Sequence, residues 1–324
     1  MRDALNKQCE MFIHNRDEIK SYFRWESAEI VAVCASEICA DNLQVEMEKL
    51  LECKNILDKG TGLFSNFRGT VKLPVISMLA KDKEPSDKMD KITEIHSILK
   101  LKFSDSQYLT LLAAKLSDMI SVDDAEECAI RGKEIYNLMK KEHPFLTSRE
   151  DNVFAVLLAF SEKDNDTLVA DMEECYRTLK KFSPDSNAMQ SLSHVLALAN
   201  GTPEEKCSRV IEMFNALDEQ GKKYSKSYEM AVLGALSILP IDMAQVIADI
   251  VEVDDFLSTQ KGYNGIGIAK KTRLMHAVML VANDYAENSV VNTAAISGTM
   301  AMIAAGQAAM CAIIASTVAV SSTH

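Results

Sequence analysis

Apolar residues along the chain recur every third and fourth position rather than every second, the spacing of helices with one buried face. A short apolar stretch ending in a small or polar residue returns through the chain. Its copies are 73–80 (LPVISMLA), 111–117 (LLAAKLS), 155–161 (AVLLAFS), 194–200 (HVLALAN) and 232–237 (VLGALS), with 273–283 as a sixth. The steps average about 41 residues, and each stretch leads through a polar link into a second, amphipathic segment such as 121–142, 164–182 or 202–221. A helix pair every ~40 residues is the pitch of HEAT-like arrays, in which no pair can bury its apolar stripe alone. No long alternating strand pattern appears. The fold class expected is all-α: stacked helical hairpins, either a HEAT-like α-solenoid or an irregular helical array.

Helix starts are marked by prolines, after a capping residue at Ser183-Pro184 and Thr202-Pro203 and without one at Leu239-Pro240. Capping boxes are expected at 104–107, 147–150 and 202–205, where a hydroxyl precedes a Glu or Gln by three residues. Residues 1–60 read as N-terminal helices closed by Lys59-Gly60, and 61–283 as the helical hairpins. The link 60–70 carries Phe64, Phe67 and Arg68 between glycines, aromatics expected to tuck under the adjacent helices. Residues 284–324 form an apolar, Ala-rich C-terminal helix. Beyond Glu287 there is no Asp, Glu, Lys or Arg, and 290–320 is long enough to span a bilayer. Asn292, Thr293 and Gln307 lower its transfer energy, and no cation cluster or aromatic belt flanks it. A helix packed on or within the array is the primary reading. A tail anchor and an exposed self-association helix stand as alternatives.

The 324 residues carry 35 Lys and Arg against 47 Asp and Glu, a net charge of -12. That balance argues against gripping nucleic-acid phosphates, and the single Trp25 offers no stacking ladder for single strands. The eight cysteines form no C-x-x-C pair and mostly sit in apolar helical patterns, as buried reduced thiols do. Charges interrupt the first twenty residues, so no secretory leader is expected. The location expected is cytoplasmic. No cofactor is implied, and no metal site: Glu10 and His14 stand four apart with no answering acidic–His helix.

Two segments, IYNLMKKEHPFLTSRED at 135–151 and NAMQSLSHVLALA at 187–199, together with the Gly-rich link and the Ala-rich end, resemble an uncharacterised bacterial family catalogued as a domain of unknown function. The resemblance covers most of the chain. It implies an all-helical bacterial protein and supplies no reaction.

Candidate chemistry lies in three places. His143 precedes Pro144 at a helix end, with Tyr136, Lys140 and Lys141 before it and Thr147, Ser148 and Asp151 after it. A cationic imidazole beside helix N-terminal amides suits an anion or a general acid. Asn187, Gln190 and His194 fall on one helical face, either a polar seam between helices or a ligand groove shared with Asp151. Gly265 and Gly267, followed by Lys270 and Lys271, make a weaker candidate for holding a phosphate. The function expected is a noncatalytic helical-repeat protein that docks a peptide or protein partner on its concave face. Two alternatives remain: an enzyme or small-ligand protein with a polar pocket around His143 and His194, and a membrane protein held by 290–320. The reading also leaves a homo-oligomer open.

Overall fold

The short apolar stretches fold as short helices with almost no polar face, and the segments between them as longer amphipathic ones. The computed structural model describes residues 1–63, 65–264 and 267–288, with residues 303, 306, 308–310 and 313. Among these no strand occurs. The long helices are α1 (Asp3–Tyr22), α3 (Met47–Gly60), α5 (Pro85–Lys100), α7 (Ala125–Glu142), α9 (Asn165–Leu179), α11 (Pro203–Glu219) and α13 (Met243–Ser258). Between them run the short helices α2 (Ala28–Cys39), α4 (Lys72–Ala80), α6 (Gln107–Leu116), α8 (Asp151–Leu158), α10 (Ser186–Ala197) and α12 (Glu229–Ser237). The last helix is α14 (Lys270–Asn288).

The chain divides into two compact units, His14–Glu162 and Met1–Ile13 with Lys163–His324. The boundary between helices α8 and α9 falls inside the 61–283 stretch. In the His14–Glu162 unit, α2, α4, α6 and α8 pack each on the next, and so do α3, α5 and α7, with the two rows facing each other. The other unit repeats the arrangement: α10, α12 and α14 form one row and α9, α11 and α13 the second. Every residue of α8 and α12 is buried, as is α6 from Leu109 to Leu116. A helix apolar all round needs neighbours on all sides. The long helices bury one stripe, such as Met89, Ile92, Ile95 and Leu99 in α5, at helical spacing. Each such side chain contributes on the order of 2 kcal/mol.

The capping box at Thr202 forms as expected: its hydroxyl accepts the Glu205 N–H and the Glu205 carboxylate accepts the Thr202 N–H. The other two do not. Helix α6 is capped by Ser106, because Asp105 is drawn to His96 and Lys100 at 3.1 and 2.9 Å and the helix starts two residues late. Helix α8 begins at Asp151, so Glu150 stands at the cap, and the Thr147 hydroxyl donates to Met139 O at 3.2 Å instead.

A second regularity ties the hairpins. The seventh residue of α5, α7 and α11 is Lys91, Arg131 and Arg209. Each reaches the end of the short helix that follows: Lys91 Nζ to Ser117 O at 2.7 Å, Arg131 to Ala159 O and Ser161 O at 2.9 and 2.7 Å, Arg209 to Ser237 O and Ile241 O at 2.6 Å each. The last carbonyls of a helix lack intrahelical donors, and a cation there also meets the negative end of the dipole. In α9 and α13 the seventh residue is instead acidic, Asp171 and Asp249. Asp171 takes Lys163 and Lys206 at 2.5 and 2.9 Å. Buried Asp249 takes Arg2, Gln245 and Tyr285, and Arg2 also reaches Asp284 at 2.5 Å.

Close approach of α7 to α8 depends on Gly132, where an added Cβ would stand 2.8 Å from Val156 Cγ2 and 3.0 Å from Val156 Cα. In an exposed helix, Gly→Ala gains about 1 kcal/mol. Here the methyl meets backbone and a β-branched side chain, so Gly132→Ala is expected to lose about 1–2 kcal/mol through overpacking. Urea unfolding of the variant checks this; a gain in stability would show that the two helices do not touch so closely.

Within 290–320, Ile303, Ala308, Ala309, Met310 and Ile313 are helical and buried. Of the remainder of the expected 284–324 helix, residues 284–288 are the end of α14 and Gly306 is helical, while the others lie outside the described residues. Among the described residues no helix is long and apolar enough to cross a membrane.

Candidate functional site

The corner from α7 to α8 is built by hydrogen bonds that its sequence supplies. His143 ends α7, its N–H donating to Met139 O. The chain turns through Pro144, and the Thr147 N–H returns to His143 O at 3.0 Å. Lys140 Nζ reaches Thr147 O at 2.6 Å, closing the turn from the other side. Asp151, the first residue of α8, accepts the Ser148 N–H on Oδ2 at 2.6 Å. The corner therefore gathers a half-buried imidazole, a lysine and a carboxyl group.

Asp151 is the chemically distinctive member. Burial pushes its carboxyl up to about 7, against the Ser148 amide and Lys140, which favour the ionised form, and with Glu150, which opposes it. Such a group holds or releases a proton near neutrality, the property of a general acid or base. Tyr136, one helical turn before Lys140, is also pushed up, first by burial and then by the Asp151 charge. Its ring meets Phe103 edge-on at 6.2 Å, with Lys133 Nζ 4.8 Å above it.

The second row starts at the surface and ends inside. Asn187 is exposed, whereas Gln190 and His194 are buried where α10 packs on α9 and α12. Ser193 Oγ donates to Gln190 O at 2.8 Å. The helix is started by Asp185, which accepts the Ala188 N–H at 3.1 Å and the Ser227 hydroxyl at 3.0 Å. Gln190 and His194 are thus polar groups of the helix packing rather than walls of an open groove. His143 and Asp151 belong to the His14–Glu162 unit, and Asn187, Gln190 and His194 to the other.

The Gly-rich loop before α14 turns back on itself. Gly267 has φ +125 and the Ile268 N–H donates to Gly262 O at 3.0 Å; a Cβ at Gly267 would stand 2.9 Å from that oxygen. Only glycine fits this turn. Tyr263 is buried, its hydroxyl 2.7 Å from His276 Nδ1. Arg273 grips Asp254 at 2.7 and 3.1 Å. Lys270 is exposed, and Lys271 stands 3.4 Å from Glu229. Gly265 lies outside the described residues.

Among the described residues no group of three His, Cys, Asp or Glu side chains is placed to hold a metal ion. Burial pushes the thiols of Cys53 and Cys128 up, to about 11 and about 12, the opposite of an activated nucleophile.

One charged cluster has no signature in the sequence. Glu37 of α2 accepts Lys81 and Lys115 on a single oxygen, at 2.8 and 2.5 Å, and Lys81 also meets Asp41 at 2.7 Å. These residues come from three neighbouring short helices, so no local spacing announces them.

The sequence model of the family described as "Protein of unknown function (DUF4003)" matches residues 15–309. The uncharacterized protein YeaA of Bacillus subtilis (strain 168) is 24% identical over 329 residues, covering 99% of this chain and 98% of that protein. No solved structure matches.

Proposed function

The chain belongs to the DUF4003 family of proteins of unknown function, and on that premise we propose that it is a noncatalytic helical-repeat protein, a HEAT-like α-solenoid that docks a peptide or protein partner. The observation that carries this reading is the packing: short helices stack on short helices, and long on long, through each unit. Such a stack grows by adding hairpins and offers surface in proportion to its length. Because α8 and α12 are buried throughout and the other short helices over most of their length, a partner meets chiefly the outward faces of the long ones and the loops.

A second reading rests on Asp151. A buried carboxyl pushed to about 7 beside Lys140 suits proton transfer on a small ligand held at the α7–α8 corner.

Thermal-shift screening of the purified chain against peptides and small metabolites, followed by hydrogen exchange on any hit, separates the two. A peptide that raises Tm and protects amides across two or more consecutive hairpins supports the solenoid reading. A small molecule that protects only the corner around Ser148, and is lost in Asp151→Asn, overturns it in favour of the second.

A further inference from the structure

In the His14–Glu162 unit each connection from a long helix to the following short one carries a strongly exposed apolar side chain. The α1–α2 loop carries Trp25 and the α7–α8 loop Phe145, both fully exposed. The α3–α4 and α5–α6 loops carry Leu63 and Leu101, 81% and 77% exposed. Exposed apolar residues scattered singly need no explanation, but one at the tip of every loop along one edge does.

That these loops share an edge follows from the topology and from their contacts. Successive helices alternate in direction, so all long-to-short connections lie at the same end of the two rows. Lys72, at the start of α4, is drawn both to Glu26 in the first loop and to Asp58, 2.6 Å away at the entry to the second. Phe67 of the second loop packs edge-on against His96 of α5 at 5.0 Å, and Asn66 hydrogen-bonds Asp105 of the third. Phe103 of the third loop meets Tyr136 of α7, which runs into the fourth. With neighbouring helices 8–10 Å apart, the four tips span roughly 30 Å.

The other unit supplies an internal comparison. Its long-to-short loops also carry aromatics, of which Tyr224 and Tyr263 are buried and Phe182 is half-buried. Phe182 lies against Phe214 at 5.0 Å, Tyr224 is buried with its hydroxyl donating to Glu229 O, and Tyr263 is buried against His276. Among the described residues, large apolar loop side chains this exposed occur in the His14–Glu162 unit.

The charge around the tips selects the occupant. Within four residues of them the exposed charged side chains are Arg24, Lys59, Lys100, Lys102, Lys141 and Arg149, against Asp105 and Glu142. Asp105 is already held by Lys100 at 2.9 Å. An excess of cations stands here on a chain whose net charge is -12. Apolar tips set a repeat apart, rather than gathered in one pocket, do not make the clustered core of a protein interface. They do suit a continuous apolar layer under an anionic surface, where Trp, Phe and Leu enter the headgroup boundary and Lys and Arg meet phosphates.

We propose that the edge formed by the α1–α2, α3–α4, α5–α6 and α7–α8 loops docks on an anionic phospholipid bilayer, inserting Trp25, Leu63, Leu101 and Phe145 while the flanking cations bind the headgroups. The association is peripheral, and it stands whether or not the chain also binds a protein partner.

Trp25 is the only tryptophan of the chain, which makes the full-length protein its own probe. Mixed with vesicles of one part phosphatidylserine to three parts phosphatidylcholine at low salt, the protein is expected to cosediment. Trp25 emission is expected to shift to the blue and to be quenched by lipids brominated on their acyl chains. Pure phosphatidylcholine binds less, and added salt releases the protein. Leu101→Ala with Phe145→Ala keeps the probe and removes two tips; both are exposed, so the variant keeps the wild-type melting curve while its vesicle affinity drops about tenfold or more. Glycerophosphoserine in solution leaves the emission unchanged. The proposal is overturned by any of three results: no cosedimentation with the phosphatidylserine vesicles, cosedimentation without a shift or quenching of Trp25, or an equal shift with the soluble headgroup or on concentrating the protein alone.

Discussion

Asp151→Asn is expected to make the protein more stable at pH 8, and to remove a decline in stability that the wild type shows between about pH 4 and pH 7. The ordinary value of this carboxyl is 3.8, and burial pushes it up to about 7 in the fold. Between those values the folded chain holds a proton that the unfolded chain has released, so stability falls as pH rises and levels off above the folded value. The gap corresponds to on the order of 4 kcal/mol. Asparagine keeps an acceptor for the Ser148 N–H and carries no charge, so it avoids the cost of ionising a buried group. Urea unfolding of both proteins at several pH values from 4 to 8 measures it. Parallel curves would mean that the carboxyl titrates as it does in water, and would remove the ground for a proton-transfer role at the α7–α8 corner.

Glu37→Gln is expected to act in the opposite sense, costing about 3 kcal/mol at pH 7 because two lysines lose their shared charge partner. The low end of the range for broken buried pairs applies, since the Glu37 side chain retains 18% of its surface. Burial alone would push this carboxyl up, but Lys115 and Lys81 outweigh it and hold it well below the usual carboxylate range. The stabilisation is therefore complete above the ordinary value of 4.5 and is lost as pH falls toward the depressed one. Wild type and variant should converge in acid. A loss that stays constant from pH 7 down to pH 3 would assign the effect to packing rather than charge.

The helix order was largely legible in the sequence because the two helix types differ in composition. Stretches 73–80 and 232–237 lie within α4 and α12, whose residues are apolar on every side. The stretch 194–200 marks only the end of α10, since the polar residues Gln190, Ser191 and Ser193 upstream are buried too and look like surface in a linear reading. The same property bears on the site. Asn187, Gln190 and His194 have the spacing of one face, but Gln190 and His194 are buried and Asn187 is exposed, a difference that spacing alone does not reveal. Asp151 was legible as a candidate, whereas its proton affinity depends on burial that no spacing reveals. In the link 60–70, Phe67 is buried as its aromatic character implies, Leu63 points outward, and Phe64 lies outside the described residues. The cations at the seventh helical position escaped notice because Lys and Arg are common on long helices. Their regularity emerges only once each helix start is known.

Those cations also bear on the order in which the chain folds. Lys91, Arg131 and Arg209 bond carbonyls 26 to 32 residues further on, so each closes a hairpin opposite its covalent loop using only nearby chain. The bonds from Arg2 to Asp249 and Asp284 instead join residues 247 and 282 apart. Closing a loop costs entropy that grows with its length, and local contacts form fastest. The hairpins of helices α5–α6, α7–α8 and α11–α12 are therefore expected to close early and separately. The clasp at Arg2 is expected to form late, so that its loss is felt in the unfolding rate before the folding rate.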